Sequence, residues 1–404
     1  MSLTVVPFVA PNEKRVLTKQ EALIISGQCL NMCYLKDDFE KIKHEPEETS
    51  LKRARRCIAS GHHSGFEHVK YTFEISDISK MLAMILNSQG VYATSEKSGR
   101  YRVLDFDSEQ EKKLRDKWQE IFYNILCEKY YEMFKRFYSK SDRSEEKNEK
   151  IIKEAIIKKA QENSRLITSP FAKTKMIYTI NFRQLSYLRY ELKIFINEAP
   201  NTPFYNILKQ EMQEFIEATA EYGAEEEGLN PGSKGVKLPF FETVRERQEE
   251  FGENYSINYY VSFATFAQLL RHRTCHYMAM LPEEKQYFIP EFIKDNDTLV
   301  NEWINDCKCV TDESQFPQAT LLYINERGRY EDFVLKAYER LCGATQYEAT
   351  MVMKEQLDKY LDNVTSVNAR EALEKIYTGA RCTFGYKCTE PCMFGAKFAL
   401  NRKF

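Results

Sequence analysis

Tyr178-Thr179-Ile180-Asn181-Phe182-Arg183 and Thr365-Ser366-Val367-Asn368-Ala369-Arg370 share an Asn-x-Arg core, and the two asparagines stand 187 residues apart (368 minus 181). Both lead into runs with helical spacing. A separation of that size is the scale of a whole domain, not of a solenoid unit. The chain therefore reads as a tandem duplication whose halves have diverged, and such halves are expected to pack as a pseudo-dimer.

Working outward, Val69 to Ile75 alternates apolar and polar residues, the period of a strand with one buried face. It follows a polar turn, Gly61-His62-His63-Ser64-Gly65-Phe66-Glu67-His68, and precedes an apolar helix, Ser79 to Leu86, with Gly90 breaking the run. A polar island, Thr94 to Tyr101, comes next. Leu114, Trp118, Ile121, Phe122, Ile125, Leu126, Met133, Phe134 and Phe137 then recur at three-to-four spacing, a long amphipathic helix. Ser139 to Lys150 reads as a solvated charged loop, and a second helix runs through Ala160 towards Arg165. Glu225-Glu226-Glu227-Gly228 and Asn230-Pro231-Gly232-Ser233 mark the clearest linker, which divides the chain into 1–222, a connector 223–236, and 237–404. Beyond it the pattern recurs. Tyr255 to Ser262 alternates, and Phe263 to Leu270 forms an apolar helix containing Gln268. That helix ends in Arg271-His272-Arg273, and further helices surround 299–306 and 329–342.

Composition narrows the class. With 404 residues, 43% hydrophobic and 13% aromatic, the chain can fill ordinary cores. A formal charge of −2 argues against a nucleic-acid binder, and no run of about 18 apolar residues suggests a membrane span. Eleven scattered cysteines, an odd number, suit free thiols in a reducing cytoplasm. Cys29, Cys33, Cys382, Cys388 and Cys392 match no zinc spacing, and no Gly-x-Gly-x-x-Gly loop is present, so neither a metal nor a Rossmann site is expected.

Arg271-His272-Arg273 admits two readings. Cations at a helix C-terminus offset its dipole. Guanidinium forks also grip phosphates and carboxylates.

In order and spacing these elements resemble the flavin-dependent thymidylate synthases, whose signature is Arg-His-Arg, seven residues, then Ser-x-Arg. The C-terminal half keeps the first part, with Leu281-Pro282-Glu283 where Ser-x-Arg belongs. The N-terminal half keeps Ser98-Gly99-Arg100, with Ser88-Gln89-Gly90 where Arg-His-Arg belongs. The losses are complementary. The family's His-x-Ser-x-x-Glu-His turn is matched by His62, Ser64, Glu67 and His68. Its glutamine before Arg-His-Arg is matched by Gln268, against Ile85 in the other half. Its Glu-x-Ala-Arg arginine is matched by Arg165, against Thr350, and a later nucleotide-binding arginine by Arg381, against Leu192.

The resemblance implies an α+β fold in two tandem copies, each a mixed or antiparallel sheet flanked by helices. It implies FAD-dependent methylation of dUMP to dTMP, with methylenetetrahydrofolate and NADPH as co-substrates. The site would join the Ser-x-Arg of one half to the Arg-His-Arg of the other. Arg271, Arg100 and Gln268 are the catalytic candidates. Glu96, Ser98, Gly99, Arg165 and Arg381 join them on dUMP. His62, Ser64, Glu67, His272, Arg273, Asn181, Arg183, Asn368 and Arg370 are the FAD candidates. The family assembles its sites from several subunits, which implies a homodimer acting as a pseudo-tetramer, in the cytoplasm. A dUMP hydroxymethylase, in which water traps the methylene adduct, and a non-catalytic flavin- or nucleotide-binding paralogue are the alternatives. Cys275, beside the Arg-His-Arg, is read as a small buried hydrophobe instead of a nucleophile.

Overall fold

The computed structural model describes residues 2–9, 15–33, 39–100, 108–230, 238, 248–377, 379–388 and 402–404. In chain order its elements are β1 (Thr4–Pro7), α1 (Lys19–Asn31), α2 (Phe39–Lys43), α3 (Glu47–Ala59), β2 (Lys70–Ser79), α4 (Lys80–Leu86), β3 (Tyr92–Glu96), α5 (Glu109–Tyr138) and α6 (Glu145–Ser164). These are followed by β4 (Lys173–Asn181), α7 (Phe182–Glu198), α8 (Pro203–Ala218), β5 (Glu250–Phe251), β6 (Asn254–Ser262), α9 (Phe263–Leu269) and β7 (His276–Met280). The last are α10 (Asp297–Val310), β8 (Leu321–Arg329), α11 (Tyr330–Arg340), α12 (Tyr347–Asn363) and α13 (Val367–Tyr377).

The chain is α+β, and its two four-stranded sheets run β1-β2-β4-β3 and β5-β6-β8-β7, antiparallel throughout. The same order in both sheets is the duplication expressed as topology. Local chemistry repeats with it. Ser79 ends β2 and caps α4, its Oγ accepting from the Leu82 N–H at 3.0 Å. Ser262 ends β6 and caps α9, its Oγ accepting from Thr265 N–H at 3.2 Å. Side-chain caps of this kind satisfy N–H groups that have no partner in the first turn. Each serine in turn donates to a buried glutamate from a later helix, Glu211 of α8 and Glu348 of α12.

The register of the repeat differs from that expected. Ser79 and Ser262 are 183 residues apart (262 minus 79), whereas the ends of β4 and β8, Asn181 and Arg329, are 148 apart (329 minus 181). The shortfall arises between the third and fourth strands. The first sheet spends α5 and α6, of 30 and 20 residues, where the second spends only α10, of 14. The counterpart of Asn181-Phe182-Arg183 is therefore Arg329-Tyr330-Glu331. Asn368-Ala369-Arg370 lies instead in the first turn of α13, after the second sheet is complete. A pattern with two defined positions recurred by chance.

Two compact units result, Met1–Lys97 with Lys173–Phe241, and Ser98–Ala172 with Glu242–Phe404. They cut the chain elsewhere than at the 223–236 connector. The reason is the apolar face of the α5–α6 hairpin, which carries Trp118, Phe122, Leu126, Ile152 and Ile156 and is buried with Phe292, Trp303 and Cys307 in one core. Trp118 and Trp303 meet edge to face, with ring centroids 4.9 Å apart, and Trp118 Nε1 donates to Asp306 Oδ2 at 2.8 Å. An aromatic pair of this geometry adds about 0.5–1.5 kcal/mol beyond burial.

In the first unit, Phe73, Ile75, Tyr178, Ile180, Leu82 and Leu188 pack between sheet and helices. Among the described residues no helix is long and apolar enough to cross a membrane. Nor does any group of three or more His, Cys, Asp or Glu among them hold metal-site geometry.

Candidate active site

Within the second unit, residues from both sequence halves converge on the loop between α11 and α12. Arg165 follows α6 and is 8% exposed; its Nη2 donates to Gln346 Oε1 at 2.6 Å, and its Nε to the Glu162 carbonyl at 3.2 Å. Gln268 of α9 donates through Nε2 to the same Gln346 oxygen. Arg100 Nη2 donates to the Ala344 carbonyl at 2.8 Å while its Nε pairs with Glu162. Arg340, the last residue of α11, donates to the Gln268 carbonyl at 2.9 Å. Arg402 reaches the Gly343 and Thr345 carbonyls, each at 2.6 Å. Ser98 accepts the Arg100 N–H at 3.3 Å, and Gly99 is buried.

The electrostatics are lopsided. Arg100, Lys159, Arg165, Arg340 and Arg402, five cations, are set against Glu162, Glu339 and, beside Arg165, Glu348. Burial holds Arg340 below its ordinary pKa, and the neighbouring Arg100 and Arg271 push the same way. Burial likewise lowers Arg402 to about 10 and lowers Lys159, with Arg100 adding to both. Burial alone would raise Glu162, but Lys159, Arg100 and Arg165 overcome it and draw its carboxyl down to about 2. Partly desolvated like charges that depress one another favour an added anion, and planar guanidinium forks favour phosphate.

Arg271, His272 and Arg273 follow the C-terminus of α9, with Arg271 and Arg273 exposed. His272 is buried, and its Nε2 lies 3.9 Å from Glu339. Burial, together with Arg340 and Lys336, lowers the ring to about 2, so it is neutral. Cys275 is buried too, which raises its thiol pKa.

The first unit holds the other expected residues. The turn Ser64–Glu67 and the start of α7 meet through an ion pair between Arg183 and Glu67. Asn181 caps α7, its Oδ1 accepting from the Gln184 N–H at 2.8 Å. Ser64 and Glu67 are exposed and His62 half-buried, on a turn held tightly because Gly65 packs on Leu30, where a Cβ would fall 2.3 Å from Leu30 Cγ. Glu96 pairs with Lys80 and accepts from Asn87 Nδ2 at 3.2 Å.

Three expectations change. The Arg381 side chain lies outside the described residues. The place equivalent to Leu192, counted back from the helix starts at Phe182 and Tyr330, is Arg340 (340 minus 148), a residue the sequence reading missed. Thr350 is not the counterpart of Arg165, because it sits on α12, two elements beyond the end of β8. Arg370 turns to the Val364 carbonyl at 3.3 Å, and neither it nor Asn368 occupies the equivalent of Arg183 or Asn181.

Known proteins show likenesses to part of the chain. Residues 16–193 match the family described as thymidylate synthase complementing protein. A flavin-dependent thymidylate synthase of Pyrococcus furiosus is 26% identical over 163 residues, 37% of this chain, and the chain spans 56% of that relative's length. Similar solved structures include the Helicobacter pylori flavin-dependent thymidylate synthase complexed with FAD and dUMP. It shows 19% identity and a TM-score of 0.29, covering 56% of this chain and 96% of that one. A UMP/dUMP methylase of Streptomyces cacaoi bound with 5-Br dUMP shows 16% identity and a TM-score of 0.32, covering 56% and 93%.

Proposed function

We propose that this protein is a flavin-dependent thymidylate synthase that methylates dUMP at C5, using methylenetetrahydrofolate and NADPH. The observation that carries the reading is Gln346 Oε1, which accepts from Arg165 and from Gln268, residues drawn from opposite halves of the sequence. Arg100, Arg165, Arg271 and Arg340 are assigned to the phosphate, where charge-assisted hydrogen bonds are the strong ones. Ser98 and the backbone at Gly99 complete that cradle. Gln268 carries both a donor and an acceptor, as reading a uracil edge requires. Glu96 is retained as a further dUMP candidate.

Ser64, Glu67, His62, Asn181 and Arg183 are assigned to FAD, together with His272 and Arg273. The residues suit the group. They are polar, several are exposed, and the Arg183–Glu67 pair ties two of the assigned stretches together. Bound FAD, once reduced by NADPH, would supply the hydride that completes the methyl group. The protein's part is to hold the nucleotide by its phosphate, fix the uracil ring through Gln268, and place positive charge near the flavin ring. In this reading a homodimer works as a pseudo-tetramer.

The test incubates purified protein with dUMP, labelled methylenetetrahydrofolate, FAD and NADPH and weighs the product. Thymidylate is expected. A hydroxymethyl product would replace methylation with hydroxymethylation at the same site. No product, with no binding of dUMP, would overturn the reading.

A further inference from the structure

Arg402-Lys403-Phe404 forms no helix or strand, yet Arg402 and Phe404 are buried in the second unit. Phe404, 1% exposed, stacks on Phe134 with ring centroids 5.6 Å apart and planes 8° from parallel, and meets Tyr130 at 4.8 Å. Lys403 pairs with Glu291 at 3.1 Å. Arg402, 4% exposed, spans the α11–α12 loop. Its Nη1 donates to the Gly343 carbonyl, and its Nη2 to the Thr345 carbonyl and, at 2.7 Å, to Thr350 Oγ1.

The carbonyl between those two, Ala344, is the one that receives Arg100, and the next side chain, Gln346, receives Arg165 and Gln268. The loop's shape therefore decides where Arg100 and Arg165 point, and Arg402 holds that shape. In the first unit the corresponding loop, between α7 and α8, is served by its own helix, with Lys209 Nζ on the Ala199 carbonyl at 2.6 Å. No single amide spans both carbonyls and the Thr350 hydroxyl as the planar guanidinium does, and the buried Glu162 carboxylate offsets part of the cost of its charge.

We propose that Arg402 is a positioning residue of the nucleotide site, with Phe404 as its anchor: it fixes the Gly343–Gln346 loop so that Arg100 and Arg165 present their forks to a phosphate. This rests on the nucleotide reading of the site. The step is binding alone, with no bond made or broken.

Calorimetric titration of dUMP into wild type, Arg402→Ala and Arg402→Lys tests it. Arg402→Ala is expected to weaken dUMP by about tenfold or more, the loss of one charge-assisted contact. Free guanidinium should restore much of that loss. Lysine should recover only part, because an ammonium cannot span two carbonyls. Unchanged affinity in Arg402→Ala would overturn the proposal. If wild type itself holds no dUMP, the nucleotide reading fails, and amide hydrogen exchange decides the remainder. Faster exchange confined to Ala344–Gln346 in Arg402→Ala upholds the positioning role, and an unchanged rate there removes it. Phe404→Ala should mimic Arg402→Ala in both measurements.

Discussion

Arg165 and Gln346 stand 181 residues apart in sequence and are joined by a 2.6 Å hydrogen bond within one unit of the fold. The amide oxygen that accepts it also serves Gln268. Gln346→Ala would leave the Arg165 fork buried without that acceptor, a loss of about 1–3 kcal/mol. The urea midpoint should fall accordingly and dUMP should bind more weakly. A variant as stable as wild type would show that the bond contributes nothing.

His272 gives a pH signature. In the folded chain its pKa is lowered from 6.5 to about 2 by burial, Arg340 and Lys336. The unfolded chain takes up a proton below 6.5 that the folded chain refuses. The stability this contributes is complete above 6.5 and is lost steadily as pH falls towards 2. Between pH 7 and 5.5 the loss should be about 1 kcal/mol. Glu162, whose ordinary value is 4.5 and folded value about 2, enters only at lower pH. His272→Gln, the residue found at the equivalent Gln89, should flatten the higher window. Equal slopes for both proteins would disprove the assignment.

Glu326 and Lys336 form an ion pair with both side chains fully buried, and Glu326 also accepts from Tyr255 Oη at 2.6 Å and Tyr259 Oη at 2.7 Å. The equivalent positions in the first unit are Tyr178 and Leu188, so the fold does not require a charge pair there. Lys336→Met alone should cost about 3–5 kcal/mol by stranding the carboxylate. Adding Glu326→Gln should return much of that loss. A double variant no more stable than the single one would contradict this.

Both tryptophans of the chain, Trp118 and Trp303, are fully buried in the second unit. Tryptophan fluorescence should therefore follow that unit alone during unfolding. Trp303→Ala should lower the midpoint read from Trp118 by about 3–5 kcal/mol equivalent. An unmoved midpoint would count against the packing described.

Periodicity located β2, β6, α9 and α5 closely, because each has one buried face and a clean spacing. It passed over β8, and the reason is physical. Asn325 and Glu326 are fully buried polar residues in mid-strand, where Asn325 Nδ2 donates to Asn258 and Glu326 pairs with Lys336, and they erase the apolar alternation. With β8 unseen, the start of α11 could not be aligned with that of α7. Arg340 was then overlooked at the helix end where Leu192 stands in the other copy. The second strand–helix junction, at Arg329-Tyr330, and not the second Asn-x-Arg, marks its register. Gln268 and Arg165 were legible as motif residues, but Gln346 was not. Its role comes from accepting two donors, which no spacing reveals.

The α5–α6 hairpin also dates the order in which the molecule can be finished. Trp118 donates to Asp306, a residue made 188 positions later. At about 5–20 residues per second on the ribosome, Trp118, Phe122 and Leu126 wait roughly 10–40 s for the partners that cover them. A newborn chain thus carries an open oily seam through nearly half of its synthesis. Slowing translation before Asp306 should raise its demand for chaperones more than slowing it afterwards.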